Sequence, residues 1–158
     1  MCGIAGLLAR RAGVSQAALS AMTGPIAHRG PDASGGWIDE AAGVGLGHRR
    51  LAIVELSPLG AQPMLSNDGR WVIAYNGEIY NHMDLRAQLG LTTPWKGHSD
   101  TETLIECIAA WGLQRTLEAC VGMFAFALWD RRDRVLHLAR DRFGEKPLYY
   151  GWVGGDFL

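Results

Sequence analysis

The 158-residue chain has no surplus of either charge: 15 Lys and Arg stand against 16 Asp and Glu. A polyanionic backbone is therefore not its expected partner, and no nucleic acid is. It lacks a long apolar run. The longest, Val121 to Trp129, is nine residues, under half of the roughly 20 that a spanning helix needs, so no membrane partner is expected. The short apolar N-terminus reaches Arg10-Arg11 only at its end, the reverse of the charge order in a secretory signal. Cysteine is scarce: three residues, an odd number with no close spacing. That excludes a disulfide framework and points to a reducing, cytoplasmic setting. The five histidines form no H-E-x-x-H or Cys-pair pattern, so no metal is expected. No internal repeat or low-complexity block is present.

Glycine, by contrast, is abundant: 21 residues, about twice the usual share, which implies tight turns and close backbone approaches. With 48% hydrophobic and 20% charged residues, the chain reads as one globular domain over residues 1–158. Cys2 to Ala9 reads as a buried strand. Ser15 to His28 reads as a helix with Leu19, Met22 and Ile26 on one face, distorted or ended early by Gly24-Pro25. Val44 to Val54 and Arg70 to Tyr80 read as strands, and Asn81 to Leu89 as a short helix. Ser99 to Trp111 is the clearest helix: Ser99 with Glu102 predicts a capping box, Leu104, Ile105 and Ile108 the buried face, and Gly112 the C-terminal cap. Met123 to Trp129 and Arg134 to Arg140 flank a polar turn and predict a β-hairpin; Leu148 to Val153 predicts a last strand. Strands and helices fall in blocks rather than strict alternation, which predicts an α+β fold with mostly antiparallel sheet. The chain stops amid strand-like sequence, and the expectation is a C-terminally incomplete fold.

Cys2 is the first candidate for chemistry. Alone, a cysteine is usually a small buried hydrophobe. If Met1 is removed, however, Cys2 carries a thiol and a free α-amine whose reference pKa values are about 8.5 and about 7.7–8.0. The amine can then serve as the thiol's general base without a histidine. Thiol attack on a carboxamide creates an oxyanion, which needs fixed donors. Asn76 and Gly77, after the apolar strand Trp71 to Tyr75, could supply a side-chain amide and a backbone N–H, although from the dipeptide alone a hairpin turn is the favoured reading. Arg50 could clamp a carboxylate, with a solvated charge as the plain alternative. Asp100 could hold an ammonium or simply serve its helix N-terminus. Cys107 and Cys120 read as core. Gly43 to Gly47 lacks the spacing of a dinucleotide fingerprint.

Seven segments together carry a resemblance. Met1 to Gly6, His28-Arg29-Gly30-Pro31-Asp32, His48 to Val54, Tyr75 to Asn81, Ser99 to Glu102, Gly122 to Ala127 and Arg140 to Tyr150 resemble, in order, the glutaminase domain of glutamine-hydrolysing asparagine synthetases. These are class-II glutamine amidotransferases of the N-terminal nucleophile hydrolase (Ntn-hydrolase) type. The resemblance implies a four-layer αββα sandwich of two antiparallel sheets. It implies Cys2 as nucleophile forming a γ-glutamyl thioester, and Asn76 and Gly77 as oxyanion donors. It also implies Arg50 as carboxylate clamp, Leu51, Ala52, Ile53 and Val54 as pocket backbone, and Glu78 and Asp100 as holders of the substrate amine. Arg50 rather than Arg49 takes the clamp because it directly precedes Leu51. The family motif also suggests an Arg29–Asp32 ion pair.

Glu55 departs from the Asp often found at its place. The larger departure is the family's second domain, which binds ATP, Mg and aspartate and is not in this sequence; Ser34 to Asp39 only superficially resembles its pyrophosphate loop, with Asp39 one place late. The implied partners are glutamine and a C-terminal synthetase domain, with room for a homodimer and no cofactor in this chain. Two other readings stay open: a relative with a different ammonia acceptor, such as a polysaccharide precursor, and an inactive glutamine-binding fragment.

Overall fold

The computed structural model describes residues 1–10, 13–90 and 94–158. It is α+β with two antiparallel sheets. The first sheet contains β1 (Gly3–Leu8), β2 (Ala33–Asp39), β3 (Val44–Arg50), β8 (Trp152–Val153) and β9 (Asp156–Phe157), ordered β2-β3-β1-β9-β8. The second contains β4 (Met64–Leu65), β5 (Trp71–Ile79), β6 (Gly122–Asp130) and β7 (Val135–Arg140), in that order. The helices are α1 (Gln16–Thr23), α2 (His82–Leu89), α3 (Asp100–Trp111) and α4 (Leu113–Ala119).

Strand periodicity sorts the side chains into two cores. Val44 and Leu46 of β3 meet Val72 and Ala74 of β5 and Ala127 and Trp129 of β6 between the sheets, with Ile4 and Leu8 of β1 packed alongside. The alternate residues of β5 and β6, Ile73, Tyr75, Ile79, Phe124, Phe126 and Leu128, pack instead on Leu104, Ile105 and Ile108 of α3. Each such fully buried side chain stabilises the fold by about 2 kcal/mol. On the outer face of the first sheet lies α1. A Cβ on Gly47 would come within 2.6 Å of Thr23 Cγ2, so the glycine-rich run of β3 is the bed for this helix. The order helix, sheet, sheet, helix is compatible with the expected sandwich.

Ser15 caps α1, its Oγ accepting the Ala18 N–H at 3.1 Å, and the helix ends at Thr23, before Gly24-Pro25. The hairpin of β6 and β7 forms in register from Ala125↔Arg140 to Asp130↔Val135. Several expectations are corrected. The strand expected to run to Val54 ends at Arg50, because the next two N–H groups go to side chains: Leu51 to Cys2 Sγ and Ala52 to Asp32 Oδ2. Asp32 therefore pairs with backbone rather than with Arg29. Ser34 to Asp39, for which no element was expected, is a strand, because pairing with β3 extends a glycine-rich segment. Asn76-Gly77 is no turn, since β5 continues through it opposite Ala125 and Phe124.

The capping box is half formed. Ser99 Oγ accepts the Glu102 N–H at 3.1 Å, but the Glu102 carboxylate takes Lys96 N–H, Gly97 N–H and the Arg86 guanidinium. Gly112 ends α3 at φ 85°, and the chain then restarts as α4, a helix no sequence signal announced. The expected strand over Leu148 to Val153 shrinks to Trp152–Val153, which turns back on Asp156–Phe157 through Gly154-Gly155, both at positive φ.

His48 braces the two sheets. It extends the inward face of β3 beyond Leu46 and is fully buried, with Nε2 3.0 Å from the Tyr75 carbonyl of β5. A carbonyl only accepts, so Nε2 carries the proton and Nδ1 is left as a buried acceptor without a partner among the described residues. Burial, aided by the nearby Arg50 charge, lowers the imidazole to about 4, against the opposing pull of the Tyr75 bond. A histidine held neutral in the fold stabilises fully above its unfolded pKa of about 6.5 and loses that contribution as pH falls towards 4. Between pH 7 and pH 5 the loss is about 2 kcal/mol. Urea unfolding at the two pH values should show it in the wild type and a much flatter response in His48→Gln; equal drops in both proteins would refute the assignment.

Candidate active site

The inward-facing side chains of four strands run apolar for most of their length and turn polar at one end of the sandwich. Along β3 the series is Val44, Leu46, His48, Arg50; along β5 it is Val72, Ala74, Asn76, Glu78. Cys2 extends the Ile4 face of β1, and Met123 extends the Ala125 and Ala127 face of β6, opposite Glu78. There a cleft opens, lined by Cys2, Arg50, Leu51, Ile53, Val54, Asn76, Gly77, Glu78 and Asp100 together with Gln62, Tyr75, Met123 and Lys146.

The thiol of Cys2 is bracketed by one backbone unit: the Leu51 N–H points at Sγ at 3.4 Å, and the Leu51 carbonyl lies 3.6 Å away. Two-residue periodicity sends the neighbouring arginines to opposite faces of β3. Arg49 points outward, its Nε donating to the Thr23 carbonyl of α1 at 3.1 Å, while Arg50 points into the cleft. The Arg50 guanidinium donates to the Ser57 carbonyl at 2.9 Å and to the Glu55 carbonyl. Its five N–H donors leave capacity for a carboxylate. Glu55 ties the same loop to the start of α3, accepting from the Ser57 and His98 N–H groups at 2.9 Å each. Bonds from the Ser57 side chain and from these N–H groups lower its carboxyl to about 2.

Gly77 owes its place to the ladder. Phe124, its partner on β6, exchanges bonds with Asp141 on the far side: Asp141 N–H to Phe124 O at 2.8 Å, Phe124 N–H to Asp141 Oδ2 at 3.2 Å. Gly77 and Phe124 therefore face each other as a non-hydrogen-bonded pair, the closer of the two antiparallel spacings. A Cβ on Gly77 would collide with the Met123 carbonyl and Phe124. Gly77's own N–H consequently points away from β6, past the end of β4, which reaches only to the partner of Ile73. On this edge the Tyr75 N–H is taken by Gln62 Oε1 at 2.7 Å and the Ile79 N–H by Asp100 Oδ2 at 3.0 Å. The Gly77 N–H between them faces the cleft.

Asp100 is buried at the first position of α3. Its Oδ2 accepts from the Tyr75 hydroxyl at 2.8 Å as well as from Ile79, and its Oδ1 from the Thr101 N–H at 3.0 Å. Burial, then the Asp100 charge, pushes the Tyr75 phenol well above its ordinary value, so it remains a donor. Glu78 forms no ion pair among the described residues.

Every expected site residue except Ala52 lines the cleft; the Ala52 N–H is turned to Asp32. Sequence reasoning missed Gln62, Tyr75, Met123 and Lys146. Met123 was detectable by its parity with Ala125 and Ala127. Gln62 had no signal, since it reaches β5 from an irregular loop. Cys107 and Cys120 are buried, and burial raises their thiols to about 12 and about 11, which leaves Cys2 as the one accessible thiol. Among the described residues no group of three or more His, Cys, Asp or Glu is placed to hold a metal ion, and no helix is long and apolar enough to cross a membrane.

A family model described as a glutamine amidotransferase domain matches residues 1–158. The chain is 36% identical, over its whole length, to 33% of a putative glutamine-hydrolysing asparagine synthetase 2 of Methanocaldococcus jannaschii. It is 40% identical over 95% of its length to the glutamine-hydrolysing asparagine synthetase 1 of Bacillus subtilis, covering 24% of that protein. It is 45% identical over 79% of its length to the amidase chry2 of Gibberella zeae, covering 18% of that protein. The chain thus spans at most about a third of these curated relatives. With a match from first residue to last, it belongs to the glutamine amidotransferase domain family.

Proposed function

We propose that this domain hydrolyses the side-chain amide of glutamine to glutamate and ammonia through a thioester on Cys2, on an Ntn-hydrolase fold, in a reducing compartment. The observation that carries the reading is the convergence of Cys2, Asn76, Gly77, Arg50, Glu78 and Asp100, from separate segments, on one cleft. The cleft offers both signs of charge, which suits a zwitterionic amino acid. The Arg50 guanidinium takes the α-carboxylate, and Glu78 and Asp100 take the α-ammonium. That leaves the carboxamide at the Cys2 end.

Removal of Met1, itself half exposed at the cleft mouth, frees the Cys2 α-amine. The amine accepts the thiol proton as sulfur bonds to the carboxamide carbon, and the carbonyl electron pair moves onto oxygen. The Asn76 amide and the Gly77 N–H hold that oxygen. Collapse expels ammonia, which takes the proton back from the amine, and water then releases glutamate and the thiol. Ammonia is a nucleophile only while unprotonated and sheltered, which favours an accompanying synthetase domain, with ATP and Mg bound there and aspartate as acceptor. The 45% identity to a protein named an amidase keeps a second reading, in which ammonia goes to another acceptor or the domain serves a different amide.

Cys2→Ala should lower glutamine hydrolysis at least about a thousandfold, measured as glutamate released, and intact mass should show Met1 absent from active protein. Full activity in that variant, or in protein retaining Met1, would refute the mechanism. In Arg50→Lys the charge survives but the planar fork is lost, so the glutamine KM should rise about tenfold or more with a smaller change in kcat. An unchanged KM would remove Arg50 from the clamp.

A further inference from the structure

Lys146 is a charge the scheme above does not use. It lies in the loop after β7, only 4% exposed, on the wall of the catalytic cleft. It takes part in none of the ion pairs among the described residues. Among the described residues the one hydrogen-bond partner of its Nζ is the Met123 thioether, 2.9 Å away, and a thioether is a weak acceptor. A desolvated ammonium with so poor a partner is costly, and the cost is met when an anion arrives.

The loop is built to hold it there. The Asp141 carboxylate gathers four backbone N–H groups: Phe143 and Glu145 on Oδ1 at 3.1 and 2.9 Å, Phe124 and Lys146 on Oδ2 at 3.2 and 3.0 Å. Burial alone would raise this carboxyl, but these N–H donors outweigh it and hold it below its ordinary value. Asp141 therefore stays charged and pins the loop to β6, one residue from Met123. Its neighbours then point to the anion Lys146 meets. Arg50 is fixed by the Glu55 and Ser57 carbonyls. Lys146 lines the same cleft as Cys2, Asn76 and Gly77, and the next residues, Pro147 to Tyr149, wall a second cavity that shares Cys2 and Asn76.

We infer that Lys146 is a catalytic residue at the carboxamide end, donating from Nζ to the oxyanion formed when Cys2 attacks and then to the γ-carboxylate of glutamate. This rests on the glutaminase reading. No extra reactant is needed: the ammonium keeps its protons while the carbonyl electron pair moves onto the oxygen it faces.

Lys146→Met keeps the length and the contact with Met123 but removes the charge; Lys146→Arg keeps the charge. In steady-state glutamine hydrolysis, Lys146→Met should lose about a hundredfold in kcat with KM within about threefold. Glutamate should inhibit it at least about tenfold more weakly, and Lys146→Arg should recover most of the kcat. The melting temperature of Lys146→Met should match or exceed that of the wild type, since an underpaired buried charge has been removed. A raised KM with unchanged kcat, an unchanged kcat, a fall in melting temperature that accounts for the loss, or equal defects in both variants would overturn the inference. Wild-type turnover with an indifferent Lys146→Met sinks this proposal alone. A wild type that leaves glutamine intact sinks the glutaminase reading as well.

Discussion

Everything at the site depends on where the layer between the sheets stops being apolar. On β1, β3, β5 and β6 the same alternate positions that bury Ile4, Leu46, Ala74 and Ala127 place Cys2, Arg50, Asn76, Glu78 and Met123 a few residues further on. A strand cannot shift by one residue without moving its whole buried set to the other face. The core therefore fixes the register, and the register fixes which side chains meet in the cleft. His48 sits at the border, fully buried yet polar, and its bond to the Tyr75 carbonyl fastens the two sheets at the level where the chemistry begins.

The second constraint is the edge of β5 beyond the short strand β4. An exposed strand edge presents unpaired N–H groups, and here each is dealt with differently. Gln62 and Asp100 occupy those of Tyr75 and Ile79, and the Gly77 N–H is left to the cleft. Asp100 links this edge to α3 while its other oxygen serves the first turn of the helix. Because three donors already surround it, Asp100 helps to shape the site as much as it contributes charge to it. Glu78 is the carboxylate with more capacity to spare.

Much of this was legible in the sequence. Apolar, strand-like runs located β1, β3, β5 and the β6–β7 hairpin, and cap chemistry with an apolar face located α1 and α3, because those signals are local. The lining of the cleft was legible through the segments that resemble the family, which preferred Arg50 to Arg49 because it directly precedes Leu51; strand parity turns the same residue inward. What stayed hidden depends on distant pairing. Ala33–Asp39 has the composition of a loop and is a strand only because β3 lies beside it. Asn76-Gly77 is by preference a turn and is held straight by β6. Gln62 enters the site from a loop whose path no local rule specifies, and Glu102 abandons half of its capping box because Arg86 draws its carboxylate away.

The electrostatics of the cleft are uneven in an informative way. The buried anions in and beside it are well supplied: Asp141, in the adjoining loop after β7, by four N–H groups, and Asp100, on its wall, by two N–H groups and a phenol. Its cations are not equal. Arg50 is held by two carbonyls that orient it without neutralising it, and among the described residues Lys146 Nζ has only a thioether as hydrogen-bond partner. Preorganised charge is effective in catalysis when it is already desolvated and fixed before the reaction begins, so that nothing need reorganise as charge develops. Natural cores avoid such an underpaired cation because it lowers stability. Its place on the wall of the cleft that holds Cys2, on a loop locked by Asp141, is the pattern expected where stability is exchanged for a field that favours negative charge on the reacting oxygen.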